Sequence, residues 1–452
     1  MQTRQSRIVV LTMLLAALAC AGASQARGQA PAPIRPETQA LPPISSLDPA
    51  FGSGGKTITA PGQGDSMIAA LAVQADGKLV VAGSIDADDR DIALARYSRD
   101  GQLDQTFGAG GIVTTDFGGN DQAAALAVQA DGKLVVAGST DAGGLLDFAV
   151  ARYTASGALD RSFSGDGTLV SDLDNTDNAA WALLIQPDGK LVVAGDALSP
   201  TTFDGDFALA RYTASGALDA SFSGDGKLLT DFGGLDSAYA LARLPDGRIV
   251  AAGTDSASFA VARYTAGGSL DGSFSGDGKA LTNFDEGDDV IKALALQPDG
   301  KLVAAGYASA GGDVALARYT LNGTLDQTFA EGGRRVSDLQ GRDAAAALAI
   351  QPDGRIVAAG VSGGGRSDDF ALIRYTAGGN PDPSFGSGGV ATTDFLDGDD
   401  RAAAVALQAG GRIVAAGQTR RDGASAFALA GYLGSGAAPL TVIYLPQVSR
   451  AN

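Results

Sequence analysis

Residues 103–153 read LDQTFGAGGIVTTDFGGNDQAAALAVQADGKLVVAGSTDAGGLLDFAVARY, and the way this stretch recurs decides the fold. The phenylalanine after Leu-Asp returns at Phe51, Phe107, Phe163, Phe222, Phe274, Phe329 and Phe385. The glycine ending the Leu-Val-Val-Ala-Gly run returns at Gly83, Gly138, Gly195, Gly253, Gly306, Gly360 and Gly417. Each series counts seven, at intervals of roughly 55 residues, which is the signature of a repeat architecture.

Each unit offers four strands. Ala124–Gln129 and Lys133–Gly138 flank Asp131-Gly132, a turn signal between two apolar runs. Phe148–Tyr153 alternates large and small residues, and Ile112–Thr115 is β-branched and follows a glycine pair. Four short strands per repeat describe a propeller blade. A stacked solenoid would have shorter coils and polar caps at both ends, and the repeats show neither.

The ends of the array carry the argument further. The repeats begin with a lone fourth strand, Gly55–Thr59, and finish on the first three, Ala403–Gln408, Arg412–Gly417 and Phe427–Tyr432. These fragments sum to one blade, and completing it from both termini removes the open sheet edges. The expected fold is therefore all-β: a seven-bladed β-propeller of four-stranded blades, closed by a blade shared between the N- and C-terminal repeat segments. Two motif losses fall in that closing blade. The arginine of Arg-Tyr becomes Gly431, and the Asp or Asn of Thr-Asp-Phe becomes Ala60. Along a hairpin at ~3.3 Å per residue, Arg152 lies far from Asp172, so its expected partner is Asp160 in the connecting loop.

The organisation reads as a signal peptide over 1–23, a Pro-rich linker over 24–46, the propeller over 47–433 and a tail over 434–452. Arg4 and Arg7 precede an apolar run from Ile8 to Ala19, the layout of a secretory leader, so export is expected. Leu18-Ala19-Cys20 resembles a lipobox, which makes Cys20 the candidate lipidation site and the one route to a membrane; ordinary cleavage with Cys20 incidental is the competing outcome. The tail carries a strand-like apolar segment, Leu440 to Val448.

Composition excludes much chemistry. The net charge is −18 and only three of the 51 acidic residues are Glu, which suits tight turns rather than helices. Such acidity argues against nucleic acid and favours a soluble monomer. There is no His, so Ser-His-Asp, Cys-His and His-zinc chemistry are out. The sole cysteine is Cys20, so the body has no internal disulfide.

The spellings LDxxFGxGG, QxDGKLVVAG and DFALARY, from about Leu47 to Tyr432, resemble the delta-60 repeat family of bacterial exported proteins. The resemblance implies a β-propeller-like fold and a bacterial surface or secreted setting. It carries no catalytic residue onto this chain.

One face is expected to hold the uniform Asp-Gly-Lys/Arg turns and a ring of cations; the other holds variable loops crowded with Asp. Asp172, Asp174 and Asp177 are the densest local cluster and the candidate ligands for Ca²⁺, although they lack the spacing, glycine and closing Glu of an EF-hand. Trp181, Tyr239 and Lys292 share one position at the start of the innermost strand in three consecutive blades, where the others carry Ala. They are the candidate ligand-binding patch, able to stack on a sugar or peptide ring. Two functions follow: a non-enzymatic binding scaffold for an extracellular protein or carbohydrate that works through the acidic face, or a hydrolase or lyase using carboxylates or Ca²⁺ in the acidic mouth. No cofactor is required for the first.

Overall fold

The computed structural model describes residues 47–434 except 63, 87–88, 175, 200–203, 285–286, 309–311, 364–366, 396 and 422. Leader, linker, Cys20 and the apolar tail lie outside the described residues. The strands form seven four-stranded antiparallel sheets. Blade 2, for example, comprises Asp121–Val128, Leu134–Thr140, Asp147–Tyr153 and Thr168–Ser171. The other blades follow in chain order, and the first strands touch one another around a complete inner ring. Blade 7 takes its first three strands from Asp399–Leu407, Ile413–Arg421 and Ala424–Tyr432, and its fourth from Lys56–Thr59. Lys56 pairs with Ala430 and Thr59 with Phe427, so the two ends of the array close the ring as expected.

The first strands begin earlier than the apolar pattern predicts, at Asp121 rather than Ala124 in blade 2. A bulge is the reason. Pairing runs Ala123 with Gly138 and then Ala125 with Ala137, leaving Ala124 unpaired, and the strand continues beyond it into polar residues. The same irregularity recurs in all seven blades, opposite the repeated glycine. A Cβ on Gly138 would stand 1.8 Å from the Gln122 carbonyl oxygen, and one on Gly195 would stand 1.8 Å from that of Ala179. The glycine is thus required by close approach: the bulge pushes a carbonyl into the space a side chain would fill.

The blades are clasped by buried charge. Six arginines of the Arg-Tyr motif pair with the Leu-Asp aspartate eight residues on, as Arg152 does with Asp160 and Arg211 with Asp219, each at 2.8 Å. Each of these guanidinium groups also lies 4.6–4.8 Å from the centroid of the repeat phenylalanine. Arg96, Arg152, Arg211 and Arg318 then donate to a backbone carbonyl in the next blade, so one side chain joins two blades. Tyrosine hydroxyls tie five blades backwards: Tyr153, Tyr264, Tyr319, Tyr375 and Tyr432 meet a Thr or Ser on the preceding blade's fourth strand at 2.7–3.0 Å. In blade 7 Phe51 packs so close to Gly431 that a Cβ there would be 2.6 Å from the ring. Arg412 takes over the aspartate instead, reaching Asp48 at 2.6 Å.

The expected ring of cations is a correction. The turn cations Lys78, Lys133, Lys190, Arg248, Lys301 and Arg355 each contact the same buried aspartate at 2.8–3.2 Å. Each clasp is one carboxylate between two cations, so that face offers no free positive ring. Hydrogen bonds from Thr106 and Lys78 hold the Asp104 carboxyl well below the usual range. Burial would push Asp219 up, but hydrogen bonds from Ser221 and Lys190 outweigh it and also hold that carboxyl low.

Removing Arg211 leaves Asp219 with Lys190 but takes away a buried cation with its bonds to Asp219, Ser221 and Ala266, at a cost of about 3 kcal/mol. Arg211→Met is therefore expected to lower stability by that amount in denaturant melts. Arg401→Met, which breaks an exposed pair with Asp368, is expected to cost about 0–1 kcal/mol. Equal costs would contradict the clasp.

Candidate functional site at the channel mouth

The bulge fixes what faces the channel. The unpaired residue is Ala69, Ala124, Ala346 or Ala403 in four blades, and Trp181, Tyr239 and Lys292 in blades 3, 4 and 5. All seven are partly exposed amid buried neighbours. The three large ones lie on adjacent innermost strands, near the end that receives the variable loops.

The structure brings the three together. The Trp181 and Tyr239 ring centroids are 5.6 Å apart with planes tilted by 50°. The Lys292 ammonium lies 3.3 Å from the Tyr239 centroid. Asp196 completes the group: the Trp181 indole N–H donates to its Oδ1 at 3.0 Å, and the Ser237 hydroxyl donates to its Oδ2 at 2.9 Å. Asp196 follows Gly195 on the second strand of blade 3, where the other blades carry Ser84, Ser139, Thr254, Tyr307, Val361 or Gln418. In blade 2 the equivalent Ser139 hydroxyl accepts the backbone N–H of Ala180 in blade 3, so this position faces the next blade's first strand. Sequence reading missed Asp196 and Ser237. The available signal was that Asp196 is the one acid in its repeat column.

Electrostatics follow from burial. Burial pushes the Asp196 carboxyl up, against hydrogen bonds from Ser237 and Trp181. Burial lowers the Lys292 ammonium to about 8, with Asp196 opposing. The patch thus offers two tilted aromatic faces, a desolvated cation and a fixed carboxylate within one small area.

Asp172 and Asp174 lie between blades 2 and 3, and Asp177 opens the first strand of blade 3. The Asp174 N–H donates to Asp172 Oδ1 at 2.9 Å, and Asp177 Oδ1 accepts the Leu146 N–H at 3.0 Å. Among the described residues, groupings of three carboxylates with oxygens within 4.8 Å of one another lie instead at blade junctions, as with Asp206, Asp231 and Asp236. Asp88, Asp285 and Glu286 of the acidic loops lie outside the described residues.

Fold and repeat together define the class: a β-propeller repeat protein. Six segments, 74–107, 129–163, 186–222, 244–274, 297–329 and 351–385, match the family described as "Domain of unknown function (DUF5122) beta-propeller". Each segment ends on the phenylalanine of the Leu-Asp motif. The seventh such unit is split between the two ends of the array, from Gln408 onward and back to Phe51. No curated protein matches the chain. Among solved structures it is similar to a catalytically inactive virginiamycin B lyase from Staphylococcus aureus crystallised with quinupristin, at 11% identity and TM-score 0.49, over 83% of this chain and 98% of that one. It is also similar to Sqt1 from Chaetomium thermophilum bound to the N-terminus of a ribosomal protein, at 16% identity and TM-score 0.46, over 82% and 98%. A third is the polysaccharide lyase Uly1, at 12% identity and TM-score 0.43, over 88% and 94%.

The lowered Lys292 value makes a signed prediction. Its folded pKa of about 8 lies below the ordinary 10.5. Between those values the unfolded chain holds the proton and the fold does not, so this group's contribution to stability rises with pH there. Lys292→Met is expected to melt higher than the parent at pH 7, with the gap narrowing from pH 8 towards 10. A gap independent of pH would contradict the desolvated ammonium.

Proposed function

We propose that this chain is an exported, non-enzymatic binding propeller that holds an extracellular carbohydrate or peptide at its channel mouth. The observation that carries the reading is the Trp181–Tyr239–Lys292–Asp196 constellation. Aromatic faces with a few fixed polar groups suit the flat apolar side and ringed hydroxyls of a sugar, or the side chains of a peptide. The surrounding loops of the acidic face, with Asp86, Asp177, Asp288 and Asp399 among them, would favour neutral or cationic ligands.

Binding is preferred over hydrolysis or lysis because the carboxylate at the patch is committed. Both Asp196 oxygens accept hydrogen bonds, from Trp181 and from Ser237. A glycosidase pair would need two carboxylates roughly 5–10 Å apart across the bound bond. The export reading rests on the leader, and assignment of the repeats to the delta-60 type rests on their spelling.

Trp181 is the sole tryptophan, so its emission reports this site alone. Ligands selected on glycan and peptide arrays are expected to shift Trp181 emission saturably. Trp181→Ala is expected to lose at least tenfold in affinity for them while melting within a few degrees of the parent. Undiminished array binding by Trp181→Ala would overturn the proposal.

A further inference from the structure

A second class of aspartate stands apart from the clasped ones. Where blade 3 meets blade 4, Asp206 from the start of a third strand, Asp231 from the turn after a fourth strand and Asp236 from just before the next blade's first strand gather with one oxygen each within 4.8 Å of one another. Asp91, Asp116 and Asp121 repeat this between blades 1 and 2, and Asp313, Asp338 and Asp343 between blades 5 and 6. Asp369, Asp394 and Asp400 do so between blades 6 and 7.

Three of the four groups are short of partners; in the group between blades 5 and 6 the two Asp343 oxygens accept the N–H groups of Leu339 and Gly363. Asp121, Asp236 and Asp400 are 0%, 1% and 0% exposed, and one oxygen of each carboxylate meets no hydrogen-bond donor. One oxygen of Asp91 is likewise buried and unpartnered. The other oxygen of Asp121, Asp236 and Asp400 accepts the backbone N–H of Phe117, Phe232 and Phe395 respectively, which fixes the carboxylate in place. Lysines come near without neutralising the clusters: Lys279 and Lys56 donate to the backbone carbonyls of Asp231 and Asp394. Among the described residues no cluster carboxylate forms an ion pair, whereas each clasped aspartate has two cations.

The three positions vary along the repeat. At the closing junction they are Ala426, Ala60 and Ser66, between blades 4 and 5 they are Ser258, Asn283 and Asp289, and between blades 2 and 3 they are Asp147, Asp172 and Asn178.

We infer that the three junctions with an unpartnered buried oxygen, those of Asp121, Asp236 and Asp400, are divalent-cation sites of the calcium type, each ion bridging adjacent blades near the variable-loop face. Oxygens at roughly 2.4 Å from one ion span up to about 4.8 Å, matching Ca²⁺ with its all-oxygen, flexible coordination better than the tighter shell of Mg²⁺. The turn residues Asp116, Asp231 and Asp394 thereby gain a ligand role.

The test is calorimetric titration of the EDTA-treated full-length protein with CaCl₂, with melting followed in parallel. Three equivalents are expected to bind, and melting is expected to rise more with Ca²⁺ than with Mg²⁺ at matched ionic strength. Asp236→Asn is expected to bind two equivalents, and Ser66→Ala, at the acid-free closing junction, three. If Asp236→Asn does not fold, Asp231→Asn, at the exposed member of the same cluster, reads the same equivalent. No binding up to millimolar Ca²⁺ overturns the inference, as does an Asp variant that still binds three equivalents.

Discussion

A carbonyl oxygen occupying the place of a missing Cβ is the constraint on which this structure turns. At every repeat glycine the first strand of the blade presses a carbonyl to within 2 Å of where a side chain would begin. Any other residue would force the strands apart or flatten the bulge. With glycine, the bulge forms and one residue per blade is left unpaired at the start of the innermost strand. Four blades answer with alanine; three answer with Trp, Tyr and Lys. The candidate site is therefore a local departure within a strictly repeated backbone, and the scaffold beneath it is the same as in the blades that carry nothing there.

Charge is divided between two uses. The Leu-Asp aspartates are consumed internally, each between an Arg-Tyr arginine and a turn cation, and their pairing leaves the uniform face without a free positive ring. The junction aspartates have no such partners, and their burial works against their charge. Burial pushes the Asp236 carboxyl up to about 6, with Asp231 and Asp255 adding repulsion against the Phe232 N–H. Much of the net charge of −18 thus sits on the face that holds the channel mouth.

The fold was legible because repetition multiplies a weak signal. Seven copies fixed the period, and the missing strands at the ends gave the closure. The Arg152–Asp160 clasp was legible too, since both residues lie in one hairpin and rise per residue decides between them. Trp181, Tyr239 and Lys292 stood out because alignment of the repeats put them in one column. Asp196 and Ser237 did not, because they meet Trp181 across strand and blade boundaries that spacing alone does not reveal. The acidic clusters were hidden for the same reason: local density drew attention to Asp172, Asp174 and Asp177, while the closest carboxylates come from three elements of two blades. The cation ring was misread because a turn lysine is visible in sequence and its buried partner, some 25 residues on, is not.

The most direct test of the account compares two glycine substitutions. Gly138→Ala and Gly195→Ala insert the same Cβ against the same carbonyl, opposite Ala124 in one blade and Trp181 in the other. Both are expected to lose stability by roughly 1–3 kcal/mol, as overpacking does. Only Gly195→Ala is expected to change the emission of Trp181 in the folded protein, because only there does the bulge carry the tryptophan. Unchanged melting and unchanged emission in Gly195→Ala would contradict the claim that the glycine makes the bulge and the bulge makes the site.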